Sequence, residues 1–501
     1  MKSMEKFKAK SVKYPIMYMA IYLGVQMFLV YNIVLFSVNA VGESMHFGNA
    51  LYSVVWAMGS IIPIFVIKLS DKWGYKESLI VAGIFQTLGF FILSFATLPT
   101  LFIGASMYGT GMVFAVSQNY VVMSHTMERG YKGRFNVFLT SYVIMNLFAF
   151  AVALLSGLSS TIGYANVFRM GAVLSLCLLI FVLTLYNRAE CVRGSLAWEL
   201  ANRPKAVKNK SFVKLFLVGI VTFVALYLFI LIADIINIII DISLVATILF
   251  LVYLCISKSG AARKKLITFT IVTIFSMVFW TGYNIYTATG FVNILDTVTN
   301  LHGLPVQWIL SIDSLVIVLL GAIFALAMIQ IEKRGVHLNG ILRTIIGLFC
   351  LGLGMAVVVF GFHQNSFHGI DVYYMVLAIF CCAIGEIFIG SVSNALAGQC
   401  GSNGLDGLLI SIGFIVVGGT AAFSVLLSDW MLNASKQTLL VESHQFSYVI
   451  GVFAIICILS AILLTLLYKK LTTLAGFTGF KTVVEKRALL EPFEKPITVR
   501  S

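Results

Sequence analysis

Long apolar stretches, separated by short segments that carry turn residues or charges, recur from one end of this chain to the other. Each stretch is long enough to cross a hydrocarbon core about 30 Å thick as an α-helix, which satisfies its own backbone hydrogen bonds in lipid. The pattern predicts an all-α polytopic membrane protein with fourteen spans. We place the spans at residues 14–40, 48–68, 79–97, 101–124, 137–160, 166–186, 212–233, 238–257, 266–288, 307–331, 341–362, 371–397, 407–428 and 446–468.

The composition supports this class of protein. Hydrophobic residues make up 60% of the 501 residues, charged residues make up 11%, and the mean hydropathy is +1.00. So little polar surface cannot cover a globular core in water. The chain is therefore expected to lie in a lipid bilayer.

Lysine and arginine gather before the first span and after the second, fourth, sixth, eighth and tenth spans. The loop after the twelfth span has no base, and on the opposite side we find only Lys436 and Arg169. Because short basic loops stay in the cytoplasm, we expect a multi-pass protein of the cytoplasmic (inner) membrane with both termini cytoplasmic. The net charge of +14 then reflects orientation and contact with anionic headgroups, and not nucleic-acid binding.

Cysteine and histidine do not form a recognisable metal or disulfide pattern. The eight cysteines are scattered, mostly inside spans, without C-x-x-C spacing, and none of the seven histidines shares a helix face with a second ligand. We expect no metal site and no cofactor.

Glu386 lies near the middle of the apolar run from Val372 to Leu396. An ionisable group at bilayer depth is expensive and usually has a function. The alternative is a protonated, hydrogen-bonded acid with a structural role.

Two loops suggest that the chain has two related halves. Residues 71–76 and 332–335 each combine an acid, a base and a glycine, and each follows the second span of a half if the seventh and eighth spans are an insert. Two six-span halves are typical of pseudo-symmetric carriers that bind substrate near the midplane. We interpret Asp71, Gly74 and Lys76 as a gating loop.

This organisation divides the chain into five segments. They are a cytoplasmic N-terminus (1–13), an N-terminal six-helix bundle (14–186), a linker with two inserted helices (187–265), a C-terminal six-helix bundle (266–468) and a cytoplasmic tail (469–501).

Several segments resemble one family in the order in which that family has them. Phe138, Tyr142 and Asn146 match the F-x-x-x-Y-x-x-x-N signature on the fifth span of the proton-dependent oligopeptide transporters, which belong to the major facilitator superfamily. Residues 258–265 and 279–283 are similar to the start and middle of the seventh core helix in bacterial members.

Two further segments extend the resemblance over most of the chain. Residues 308–314 resemble the family's W-F-Q-S-L-N-P run, with Asp313 where the family has Asn, and residues 385–389 resemble its G-E-L-F-I segment on the tenth core helix. The two inserted helices are also typical of bacterial members. The resemblance implies a major facilitator fold and identifies the chain as similar to a divergent bacterial member.

The departures concern charge. Leu23, Gln26 and Met27 stand where the family's first helix carries the E-x-x-E-R motif of proton coupling, and Phe114 stands near the position of a lysine on the fourth helix. In the family, the basic residues of the N-terminal half lie near the peptide carboxylate, and the acid of the tenth helix receives the amino group. Here only the anionic end of that clamp remains.

The resemblance implies that the chain imports di- or tripeptides, or related amine-bearing solutes, by alternating access. We expect Glu386 to receive the amine, with Asp313 as a second acid, and both acids to carry protons. Because a free carboxylate would be desolvated without a counter-charge, we expect a substrate whose carboxylate is masked or absent, or a peptide held by hydrogen bonds. The predicted substrate-binding residues are Glu386, Asp313, Tyr31, Tyr142, Asn146, Tyr283 and Asn284.

Coupling to protons is a separate prediction. Burial disfavours a charged carboxylate and an arriving ammonium group favours it, so Glu386 is able to release a proton as substrate binds. Without the first-helix acids, we expect weakened symport or facilitated diffusion.

Other interpretations stay open. For Asp313, about six residues from the outer surface, the alternative is contact with water. Tyrosine and asparagine in spans often serve as interhelical hydrogen-bonding groups. No constellation of catalytic residues is present in the sequence, so we expect no enzyme. A facilitator or sensor of another solute on the same frame, without proton coupling, is the alternative function.

Overall fold

The structure is a computed structural model that describes residues 2–127, 134–186, 191–193, 195–287, 290–333, 338–390, 392–400, 406–432 and 439–476. Within these ranges almost the whole chain is helical. The helices are α1 (Lys2–Val30), α2 (Ile33–Asn39), α3 (Met45–Ile61), α4 (Pro63–Trp73), α5 (Tyr75–Leu93), α6 (Leu98–His125), α7 (Arg134–Ser156), α8 (Ser159–Ile162), α9 (Tyr164–Thr184), α10 (Leu196–Ala201), α11 (Lys205–Leu231), α12 (Ala233–Ser257), α13 (Gly260–Thr287), α14 (Gly290–Thr297), α15 (Val306–Lys333), α16 (Gly340–Gln364), α17 (Val372–Ile389), α18 (Val392–Cys400), α19 (Asp406–Leu432) and α20 (Leu439–Ala475).

The prediction of fourteen spans is confirmed. Among the described residues, thirteen helical segments are each long and apolar enough to cross a membrane, and the pair α3 and α4 forms one further, bent span. The bend is 41° and lies between Ile61 and Pro63. A proline has no N–H to donate and its ring crowds the preceding turn, which accounts for a break at this point.

The twelfth predicted span differs from the prediction. Residues 371–397 are not one described helix, because α17 ends at Ile389 and α18 begins at Val392. Glu386 therefore lies in the last turn of α17 and not at the middle of a continuous helix. Gly390 follows, and a Cβ there would lie 3.2 Å from the Tyr142 ring, so the absent side chain leaves room for that ring.

The core is divided into two large clusters of buried apolar residues. The first draws mainly on residues 18–240, and the second mainly on residues 251–471. The two clusters meet where α7 packs against α15 and α3 packs against α19. A site between the halves is thus bounded by these four helices.

The two inserted helices lie at the periphery. The most apolar windows of α11 and α12 are only 28% and 22% buried within the protein, so most of their side chains are left to face lipid. Helix α11 packs on α5 and α6, whereas α12 packs on α3, α13 and α19.

Short structural connections lie at both ends of the helix bundle. Strands β1 (Thr299–Asn300) and β2 (Ile370–Asp371) form a two-residue parallel pair that joins two loops of the second half. At the other end, Gly74 is the single residue between α4 and α5 and has a φ of +129°, a conformation that residues with a side chain rarely adopt.

Candidate functional site

All seven predicted substrate-binding residues line one cavity between the halves, with a cavity volume of about 160 Å³. The sequence analysis did not assign the other lining residues to a site. These are Leu23, Met27, Val30, Tyr52, Trp56, Met145, Ala149, Trp280, Leu310, Ser314 and Val417. The cavity is therefore mostly apolar and aromatic, with a few polar groups.

Two carboxylic acids lie together in this cavity. Glu386 of α17 and Asp313 of α15 are each 5% exposed, and their side chains interact. Asp313 is thus buried and does not reach water at the surface. Two acids in contact form a strongly anionic centre unless a proton or a cation lies between them.

Tyrosine hydroxyls from two other helices complete this acidic centre. Tyr142 of α7 donates a hydrogen bond to Oε1 of Glu386, and Tyr283 of α13 donates one to Oδ2 of Asp313 at 3.2 Å. Oε2 of Glu386 has no hydrogen-bond partner among the described residues. Because Tyr142 belongs to the first half and Glu386 to the second, their bond joins the two halves across the cavity.

Local sequence explains how α17 reaches this position. Gly347 of α16 and Gly385 of α17 face each other so closely that a Cβ at Gly385 would lie 2.9 Å from the Gly347 carbonyl oxygen. Small residues of this kind let helix backbones approach closely in a membrane. The contact holds the last turn of α17, and with it Glu386, against the rest of the second half.

Aromatic rings form two sides of the cavity. In α13, Tyr283 packs edge to face on Trp280, with ring centroids 5.2 Å apart. In α3, Tyr52 stacks on Trp56 with centroids 6.1 Å apart. Tyr52 and Trp56 are four residues apart and therefore share one helix face, but the sequence does not show that this face lines a cavity.

The two asparagines take part in helix contacts. The Asn284 amide donates to the carbonyl oxygens of Trp280 and Val417 and to the Thr420 hydroxyl, at 2.9, 3.2 and 3.1 Å, so it ties α13 to α19. The Asn146 amide donates to the Tyr142 carbonyl oxygen at 3.0 Å within α7. Interhelical packing, which the sequence left open, thus accounts for the Asn284 amide.

Basic side chains are absent from the described lining of the cavity, which contains no Lys, Arg or His. Leu23 and Met27, which stand at family positions for charged residues, face the cavity, whereas Gln26 lines a neighbouring cavity. Phe114 is fully buried in the core of the first half. The cavity therefore has an anionic side and no cationic side.

A second cavity, with a volume of about 120 Å³, adjoins the first and shares Trp56, Met145 and Val417 with it. Tyr120 of α6 and Phe414 of α19 line this second cavity and pack together, with ring centroids 5.5 Å apart. At the opposite end of the bundle, Nε1 of Trp308 donates to the Leu154 carbonyl oxygen at 3.1 Å. Contacts between the halves thus lie on both sides of the central cavity.

Two hydrogen bonds, one from a tyrosine and one to a backbone carbonyl oxygen, involve residues of the predicted gating loop. Tyr75 donates to Oδ1 of Asp71 at 2.5 Å, and Nζ of Lys76 donates to the Leu183 carbonyl oxygen at 3.4 Å. The matching loop at residues 332–335, Lys436 and most of the tail lie wholly or partly outside the described residues.

The chain resembles known proteins weakly in sequence and closely in fold. No family model matches the chain. One curated relative, the peptide transporter YePEPT of Yersinia enterocolitica subsp. palearctica serotype O:3 (strain YE-P4), is 22% identical over 143 residues, which are 26% of this chain and 27% of that protein. The chain therefore matches about a quarter of that relative's length.

Solved structures match over nearly the whole chain. A peptide transporter POT in complex with sulfate has a TM-score of 0.75 at 18% identity, covering 93% of this chain and 95% of its own. A POT family transporter in complex with 5-aminolevulinic acid has a TM-score of 0.73 at 16% identity, covering 93% and 97%. At these identities the likeness concerns the fold.

Proposed function

Because this chain has the fold of the POT-family peptide transporters within the major facilitator superfamily, as its sequence resemblance predicted, we propose that it is a secondary carrier of small peptides or related amine-bearing solutes. It is a multi-pass membrane protein. The proposal places both termini in the cytoplasm and the protein in the cytoplasmic membrane, on the basis of its basic loops.

The single observation that supports this proposal most is the buried acid pair at the interface between the halves. Glu386 and Asp313 interact inside a cavity large enough for a small solute. At a separation of about 4 Å, two negative charges repel by about 4 kcal/mol at an effective dielectric constant of 20. An ammonium group or a proton that enters the pair removes this repulsion.

The same contacts support our proposal of alternating access. The bond from Tyr142 to Glu386 joins the halves in the closed cavity. A substrate amine that binds Glu386 competes for the oxygen that accepts from Tyr142, and so changes the free energy of separating the halves. A ligand shifts a conformational equilibrium only by such differential contacts.

Proton coupling uses the same two acids. In the empty carrier the pair shares one proton and keeps one negative charge, which an arriving ammonium neutralises at Glu386 while the proton stays on Asp313. Substrate and proton then occupy the pair together and cross the membrane together, as symport requires. Since the first-helix acids of the family are absent, we propose coupling weaker than that of a carrier with both groups.

Counterflow in proteoliposomes tests the carrier proposal. Vesicles loaded with an unlabelled dipeptide, or with its C-terminal amide, should accumulate the labelled compound transiently. Glu386→Gln should abolish this accumulation, whereas Asp234→Asn, a change at an exposed acid on the periphery, should keep it. Binding without exchange would support a sensor, and flux without trans-stimulation would support a channel. Either result would contradict the proposal.

A further inference from the structure

We propose that the central cavity selects a hydrophobic monocation, which is an amine with an apolar body and no free carboxylate, and that it discriminates against a zwitterionic peptide. This inference rests on the proposed carrier function and narrows its substrate.

The charge balance of the cavity favours a cation. Its described lining has two acids, Glu386 and Asp313, and no basic residue. A ligand carboxylate would lose its hydration and meet fixed charges of its own sign. A monocation meets only opposite charge, so the net charge of the ligand decides affinity.

The side chains that the first half contributes to the cavity determine the polarity of the rest of the ligand. Leu23, Met27 and Val30 of α1, together with Met145 and Ala149 of α7, line this side. These side chains have no strong hydrogen-bonding group, and the donors nearby on the same side, Tyr31, Tyr142 and Asn146, are neutral. A carboxylate here would therefore be buried without a counter-charge. An aliphatic or aromatic group gains from burial against them. A ligand whose amine binds the acids therefore directs an apolar body toward α1 and α7.

The aromatic residues suit a cation of this kind. Trp280 and Tyr283 pack together beside the acids, and Trp56 and Tyr52 line the cavity on α3. Ring faces attract ammonium groups and stack against apolar or aromatic bodies, and they attract no anion. The acids determine the sign of the charge, and the rings favour a bulky, flat or branched body.

Equilibrium binding to purified protein tests the inference with three probes at pH 7: Phe-Ala, its C-terminal amide, and phenethylamine. We expect the amide and phenethylamine to bind at least tenfold more tightly than Phe-Ala. Met27→Arg places a cation on the apolar wall and should reduce the preference for the amide over the free acid at least tenfold. Met27→Leu is an apolar control of similar size, and whatever it does to the separate affinities it should leave the ratio of amide to free-acid binding unchanged.

The possible outcomes separate this inference from the carrier function. Tighter binding of Phe-Ala than of its amide would overturn the inference, while counterflow of Phe-Ala would leave the proposed function intact. Binding of phenethylamine alone would support the inference and would contradict peptide transport. Absence of binding by all three probes to folded protein would overturn the inference. Should Met27→Arg fail to fold, the preference measured on the unmodified protein still decides.

Discussion

Tyr142→Phe offers a direct test of the contact that closes the cavity. This change removes only the hydroxyl group that donates to Oε1 of Glu386, across the interface between the two halves. The ring of Tyr142 stays, so packing against Gly390 is retained. The bond exists only while the halves are together, and its loss therefore raises the population in which the cavity is open.

The magnitude follows from the chemistry of the bond. A hydrogen bond to a charged group contributes about 1.5–3 kcal/mol. If the open state lacks the bond, its loss shifts the equilibrium toward opening by about 10- to 150-fold. Oε2 of Glu386 has no hydrogen-bond partner among the described residues. The bond from Tyr142 to Oε1 is therefore the main contact between this carboxyl group and the first half.

Cysteine accessibility measures this equilibrium. Ala149 lines the cavity and is buried, so Ala149→Cys is a small change whose reaction with a membrane-impermeant maleimide reports opening. The eight native cysteines do not line the cavity among the described residues, and the protein without the added cysteine provides their background. We expect Tyr142→Phe to increase the labelling rate at least tenfold.

The matched control is Tyr52→Phe. Tyr52 lines the same cavity, but its hydroxyl makes no hydrogen bond to another described residue, so the labelling rate should stay within about twofold of the parent rate. Equal labelling rates in both tyrosine variants would refute the assignment of the Tyr142 contact as a closing interaction.

Three further changes probe the contacts around the cavity. Gly390→Ala should displace the Tyr142 ring, which lies 3.2 Å from the new Cβ, and should therefore raise the labelling rate. Combined with Tyr142→Phe it should give no further increase, because both changes act on the same hydrogen bond. Gly89→Ala places a Cβ 2.8 Å from the Gly104 carbonyl oxygen and should lower the free energy of unfolding by about 1–3 kcal/mol, measured by thermal unfolding in detergent. Trp308→Phe removes the bond to the Leu154 carbonyl oxygen and should raise labelling from the side of the membrane nearest Trp308 about two- to twelvefold.

Each of these changes has a control in the same chain. Gly451→Ala and Gly24→Ala place a Cβ at ordinary contact distances of 3.5 and 3.4 Å. They should have small effects on the labelling rate and on the free energy of unfolding. Trp198→Phe alters a partly exposed indole on the linker helix α10, away from both cavities, and should leave labelling unchanged. Equal effects in a test variant and its control would show that the proposed contact is not responsible.

The spans could be predicted from the sequence because a lipid core accepts only segments that satisfy their own backbone. The end of α17 at Ile389 could not, because the apolar pattern continues past Gly390 into α18. Hydropathy registers α17 and α18 as one apolar run because it contains no information on neighbouring helices.

The site was predictable only as far as charge and resemblance allowed. Glu386 and Asp313 are conspicuous as acids in apolar spans, and both line the cavity. The partnership of Tyr142 with Glu386 joins residues 244 positions apart, which no local pattern reveals. Trp56 carries no charge and breaks no hydrophobic pattern, so only the packing of α3 against α19 shows that it faces the cavity.

The most direct test of the central claim is uptake into proteoliposomes, with and without an inward proton gradient, for the unmodified protein and for Glu386→Gln. The labelled substrate is a dipeptide amide, and Asp234→Asn is the control. The account predicts that the gradient increases accumulation by the unmodified protein and the control, and that Glu386→Gln loses this increase together with exchange. Equal gradient-driven accumulation by Glu386→Gln and the unmodified protein would contradict the role of the acid pair.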